Sequence, residues 1–172
     1  MTKSIALFYG SSTCYTEMAA EKIQAAIGAD RVELFNIADE NIETMLAYDL
    51  LILGIPTWDY GELQEDWENC WDELDELDLS GKRIGLFGLG DQVGYPQWFQ
   101  DALGYLHDKI VGLGATAVAY WPAEGYEFEQ SKALTQDGSM FVGLALDEEN
   151  EFELTEQRIK QWTQTLLSSF DK

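Results

Sequence analysis

The chain predicts an α/β fold, a doubly wound sandwich in which helices cover both faces of a parallel sheet. Apolar runs and helix-period segments alternate from one end of the sequence to the other. The apolar runs are continuous rather than alternating with polar residues, as in strands buried on both faces. The 172 residues suit a single domain, spanning 1–172, that buries a full core without disulfide or metal.

Strand-like runs bounded by turn residues occupy 5–9, 32–35, 50–55, 84–87, 115–121 and 140–146. After the first run, Ala19, Ile23, Ala26 and Ile27 share one stripe of a helix that Gly28 ends. Residues 62–77 place Leu63, Trp67, Cys70, Trp71 and Leu74 on one helical face and Glu65, Asp66, Glu68, Asp72, Glu73 and Asp75 elsewhere, which makes Cys70 a packing residue. The segment 97–111 groups Trp98, Ala102, Tyr105, Leu106 and Ile110 in the same way. The last helix runs over about 155–170, with Thr155 as N-cap and Leu154 and Ile159 spaced as a hydrophobic staple.

Composition excludes several function classes. Ten basic against 32 acidic residues give a net charge of −22, which argues against nucleic acid and anionic membranes as partners. Between Arg31 and Lys82 there is no basic residue and there are fifteen acidic ones, threaded with Leu, Ile and Trp as in folded elements with one charged face. His107 is the single histidine, so a zinc centre or a Ser-His-Asp triad has little support. Cys14 and Cys70 are far apart and unclustered, which points to a reducing compartment. With no signal-peptide pattern and no membrane-length apolar run, a soluble, cytoplasmic protein is expected.

In open α/β sheets the ligand lies beyond the carboxyl ends of the strands, near the reversal of strand order, so the loops after strands one, three and four matter most. The first is Gly10-Ser11-Ser12-Thr13-Cys14-Tyr15-Thr16, hydroxyl-rich and opening into a helix. It sets side-chain donors and unpaired N–H groups at the positive end of a helix dipole. It has no Lys or Arg, which argues against a nucleotide triphosphatase loop. The second, Pro56-Thr57-Trp58-Asp59-Tyr60-Gly61, thrusts an aromatic outward between Pro and Gly. The third, Gly88-Leu89-Gly90-Asp91-Gln92-Val93-Gly94-Tyr95, brings an acid, an amide and a second aromatic. A flat, phosphorylated heteroaromatic ligand satisfies all three together.

These three loops resemble the phosphate, tryptophan and third loops of the flavodoxins, and the likeness covers essentially the whole chain. A fifth strand interrupted over about 121–139 is similar to the long-chain subgroup, and Tyr120-Trp121-Pro122 and Phe141-Val142-Gly143-Leu144 resemble the flavodoxin 2 type. The resemblance implies a five-stranded parallel sheet in the order 2-1-3-4-5 and a non-covalent FMN. It implies that Ser11, Ser12, Thr13 and Thr16 bind the phosphate, with backbone from Cys14 and Tyr15. Trp58 and Tyr95 would sandwich the ring within a loop of Pro56, Thr57, Asp59, Tyr60 and Gly61. Leu89, Gly90, Asp91 and Gln100 would meet its pyrimidine edge, and Asp147 the ribityl hydroxyls. Cys14 stands where the family usually has glycine, which removes the freedom for positive φ.

The function so implied is a low-potential one-electron carrier, cycling mainly between FMN semiquinone and hydroquinone, with no substrate turnover of its own. Its partners would be basic redox proteins, such as a ferredoxin/flavodoxin-NADP reductase and flavodoxin-dependent enzymes, met transiently by a monomer through the acidic helix after the tryptophan loop. Two levers would set its potentials: the Asp59–Tyr60 peptide turning its carbonyl toward flavin N5, and an acidic surround opposing the second electron. The alternatives are an FMN-dependent quinone or NAD(P)H oxidoreductase of the same fold, which needs a substrate pocket where Tyr95 would lie, and a non-redox receiver-like module. The latter would need an acidic cluster where this chain has Tyr9-Gly10-Ser11.

Overall fold

The computed structural model describes residues 4–11 and 13–171. Strand β1 (Ile5–Tyr9) pairs in parallel with β2 (Val32–Asn36) on one side and with β3 (Leu50–Trp58) on the other. Strand β3 pairs in parallel with β5 (Arg83–Leu89). The fifth rank of the sheet is filled by two short strands, β6 (Thr116–Val118) beside the first half of β5 and β9 (Leu144–Leu146) beside its second half. The expected order and the interrupted fifth strand are therefore both present.

Alternation of side chains across β1 divides the core into two. Ile5, Leu7 and Tyr9 face α1 (Tyr15–Ile27) and α5 (Thr155–Phe170), packing with Ile23, Trp162 and Leu166. Ala6 and Phe8 face the other layer, which holds α2 (Glu65–Leu74) and α3 (Asp101–Gly112) and buries Trp67, Leu74, Leu103 and Leu106. This is the doubly wound arrangement that continuous apolar strands require.

Several boundaries depart from the expected ones. Strand β3 continues to Trp58 because Thr57 and Trp58 pair antiparallel with Leu63 and Glu62, forming β4 (Glu62–Leu63). Helix α2 therefore starts only at Glu65. Trp98 precedes α3 and Tyr105 faces outward, while Leu103 and Gly104 take the buried side. Ala26 is exposed and Ala20 lies inside in its place. Thr155 is not the cap of α5: a short helix α4 (Glu148–Glu151) and a 3₁₀ turn (Phe152–Leu154) lead in, so the chain is already helical at Leu154, which makes no side-chain cap bond.

The interruption starts two residues earlier than expected. Ala119 adopts φ 59, and its carbonyl accepts a 2.8 Å bond from the Trp162 indole, turning the chain out of the sheet. Strands β7 (Trp121–Pro122) and β8 (Met140–Phe141) then form a separate antiparallel pair. The chain re-enters past Gly143, where a Cβ would lie 2.4 Å from the Leu86 carbonyl oxygen, so only glycine permits that approach.

Candidate functional site

The three loops converge at the carboxyl edge of β1, β3 and β5, where strand order reverses. Gly10 ties the first loop to the third strand by donating its N–H to the Gly54 carbonyl at 3.3 Å. Cys14 carries the turn into α1 at φ 70 and ψ −9, the left-handed conformation that glycine would ordinarily supply, and its side chain makes no capping bond. The first N–H groups of α1 are thus left for an anion. Thr16 is buried, and the Ser11 hydroxyl is buried with no partner among the described residues. Ser12 lies outside the described residues.

Trp58, half-buried at the end of β3, has an indole N–H that is also buried and unpartnered. The Thr57 hydroxyl faces α3 and accepts from the Ala102 N–H at 3.0 Å, capping that helix from outside. In the third loop Asp91 accepts from the Val93 and Gly94 N–H groups at 3.1 and 2.7 Å, and Tyr95 donates to the Asp91 carbonyl at 3.0 Å. Tyr60, strongly exposed, stands edge-on to Tyr95 and Trp98 with ring centroids 6.4 and 5.0 Å away.

A cleft of about 200 Å³ opens between these loops, lined by Thr13, Tyr15, Thr16, Pro56, Thr57, Trp58, Asp59, Leu89, Gly90, Asp91 and Tyr95, all expected from the sequence. Glu148 and Glu149 also line it and were not expected. Their signal was positional, since they follow the fifth strand on the same rim as the other loops. Among the described residues no Lys or Arg lines the cleft, and four carboxylates do. Behind it, burial and the neighbouring Glu17 push the Tyr9 phenol up to about 12.

Several expected site residues, Ser11, Cys14, Tyr60, Gly61, Gln100 and Asp147, are not among those that line the cleft. Asp147 is fully buried, with its carboxylate taken by the backbone N–H and side-chain amide of Gln92 and those of Asn150, at 2.8–3.2 Å. Gln100, also fully buried at φ 62, donates its amide to the Gly88 and Leu146 carbonyls at 3.3 and 3.1 Å, clamping two strand ends instead of lining the cleft. Gly61 faces a larger cavity of about 720 Å³ between α2 and α3, which contains none of the first loop. Cys70 behaves as expected: burial raises its thiol to about 11. Among the described residues no group of three or more His, Cys, Asp or Glu could hold a metal.

Residues 7–162 match the flavodoxin family. The chain belongs to that family. It is 58% identical over 165 residues to Flavodoxin 2 of Escherichia coli K12, covering 96% of this chain and 95% of that one. With the flavodoxin of Synechocystis sp. it shares 52% identity over 163 residues, 94% of each chain. The crystal structure of Fusobacterium nucleatum flavodoxin bound to flavin mononucleotide superposes with a TM-score of 0.91 at 33% identity, covering 98% of this chain and 99% of that one.

Proposed function

We propose that this flavodoxin is an electron carrier that holds a non-covalent FMN in the three-loop cleft and turns over no substrate of its own. The observation that carries the reading is an uncapped, cation-free helix N-terminus beside Trp58 and Tyr95, at the reversal of strand order. The residues fit the group: the buried Ser11 hydroxyl and Trp58 indole lack partners, as donors waiting for a polar ligand would.

Bound FMN supplies the one-electron redox chemistry, and the protein sets the relative free energies of its states. Ser11, Ser12, Thr13 and Thr16 hold the phosphate with neutral donors, and Cys14 and Tyr15 contribute backbone N–H groups. Trp58 and Tyr95 cover the two ring faces and exclude water. Backbone groups of Leu89, Gly90 and Asp91 meet the pyrimidine edge. The Asp59–Tyr60 peptide lies in a tight turn, with Asp59 at φ 43 and Gly61 at φ 86, and its carbonyl would accept a hydrogen bond from a ring N–H of the bound group.

Charge acts on the same energies. A carboxylate about 10 Å from a reduced ring repels an added electron by roughly 1.7 kcal/mol at an effective dielectric of 20, and several acids around the cleft lower the potential together. The acidic α2 draws basic redox partners to the flavin edge, and binding is brief and salt-sensitive. No helix among the described residues is long and apolar enough to cross a membrane, and the two unpaired thiols suit the cytoplasm.

Flavin fluorescence on adding FMN to the apoprotein, a reductive titration and an NADPH assay test this reading. The expected results are quenching at 1:1 stoichiometry, two separate one-electron steps, and no NADPH oxidation unless a reductase is added. Rapid unaided NADPH oxidation would favour the oxidoreductase alternative, and failure to retain FMN would refute both.

A further inference from the structure

The inserted segment grips the third loop and the residues that lead from it into α3 at successive points. The Glu127 N–H donates to the Gln92 side-chain oxygen at 2.6 Å. The Glu129 and Gln130 N–H groups donate to the Pro96 carbonyl at 2.8 and 3.0 Å. Phe99 packs against Tyr126, Phe128 and Phe141, and the Lys132 N–H donates to the Asp101 carboxylate at 2.8 Å. Tyr95 lies between the first two of these anchors.

Gln92 is the centre of the arrangement. It is 3% exposed, and its amide nitrogen donates to Asp147 at 2.8 Å and to Glu151 at 2.6 Å while its oxygen takes the Glu127 N–H. Only an amide offers two donors and an acceptor at once: glutamate cannot donate, and asparagine is one methylene too short. Arg158 completes the network, bonding Glu151 at 3.0 Å and lying 4.4 Å from the Tyr126 ring centroid. The insertion, the third loop and both ends of α4 are therefore tied together by one hydrogen-bond network.

We propose that Gln92 is a positioning residue through which the insertion fixes Tyr95 over the cofactor, so that the insertion contributes to FMN retention and potential without touching the cleft. This rests on the FMN reading above. Loss of the anchor frees the loop, and the expected effect is on FMN release more than on uptake, as for most changes that loosen a binding site.

The test uses the holoprotein. Gln92→Leu, similar in volume, is expected to weaken FMN binding about tenfold through faster release and to shift the potential of the first one-electron couple. Leu166→Ala, a core truncation in the α5 layer, is the control: it lowers stability but leaves affinity within about twofold. In the unaltered protein, FMN is expected to increase hydrogen-exchange protection at the amides of 127, 129 and 130. That measurement decides even if Gln92→Leu does not fold. Absence of the protection, or a folded Gln92→Leu with unchanged affinity and potentials, overturns the proposal. An unaltered protein that takes up no FMN overturns the cleft reading and this inference with it.

Discussion

Cys14 offers a direct test of the backbone that shapes the first loop. At φ 70 and ψ −9 it occupies the left-handed region, which costs an L-residue roughly 1–2 kcal/mol. Its exposed side chain makes no capping bond that would offset this cost. Glycine carries no such steric penalty, but it loses about 0.5–1 kcal/mol more conformational entropy on folding. The balance predicts that Cys14→Gly stabilises the apoprotein by about 0.5–1 kcal/mol. For a domain of this size 1 kcal/mol moves Tm by roughly 2–4 °C, so a rise of about 1–4 °C is expected, together with a higher urea midpoint at unchanged slope. FMN affinity should stay within about threefold, because the same N–H groups are presented. Cys14→Val, which forces a β-branched residue into this region, should lower stability by about 1–2 kcal/mol. The reasoning would be refuted by a Cys14→Gly protein about 1 kcal/mol less stable than the parent, the cost of glycine in a regular helix. That result would place residue 14 at negative φ.

Further predictions concern the cleft and its surroundings. Trp58→Leu removes one aromatic cover and should weaken FMN binding by about 1–3 kcal/mol, read by fluorescence titration, while the thermal stability of the apoprotein changes little. Burial pushes the Asp101 carboxyl above its ordinary range, against the opposing Lys132 N–H bond and charge. The folded state therefore holds that proton more tightly than the unfolded one, and stability falls as pH rises from the ordinary carboxylate value through the raised one. Asp101→Asn keeps an acceptor for the Lys132 N–H, so its stability advantage in urea should grow through that window and level off above it. No pH dependence of the difference would contradict the assignment. Replacing Glu148 and Glu149 with Gln should raise the second reduction potential by tens of millivolts, since roughly 60 mV corresponds to 1.4 kcal/mol for one electron. Electron transfer to a basic partner should slow as ionic strength rises, and a flat salt profile would count against steering by α2.

The strands were legible because burial on both faces writes them as unbroken apolar runs, and the loops were legible because their hydroxyl, aromatic and glycine residues have few other uses at that edge. The misreadings share a cause in contacts remote in sequence. Trp98 and Tyr105 have helical spacing, yet Trp98 stays in the loop, edge-on to Tyr60. Gln92 meets Glu127 through a backbone N–H, which leaves no side-chain signature at position 127. The extension of β3 to Trp58 depends on a turn at Asp59–Gly61 that periodicity does not report.

Backbone angles show most clearly where local propensity yields to tertiary contact. Among the described residues, the non-glycine positions with positive φ are Cys14, Asp59, Gln100 and Ala119. The first three stand in or beside the three cleft loops, and the fourth begins the insertion that holds the third loop. None is a residue that a sequence reading assigns to the left-handed region with assurance, and each such conformation costs about 1–2 kcal/mol. At Gln100 and Ala119 the compensation is visible: the Gln100 amide joins two strand-end carbonyls, and the Trp162 indole secures the Ala119 carbonyl. Among the described residues the Cys14 side chain makes no capping bond, and Cys14 and Asp59 both lie at the cleft, Asp59 in its lining and Cys14 between Thr13 and Tyr15. Strain that the protein does not offset internally is located where a ligand can offset it, which is the physical reason to expect FMN to tighten the first two loops on binding.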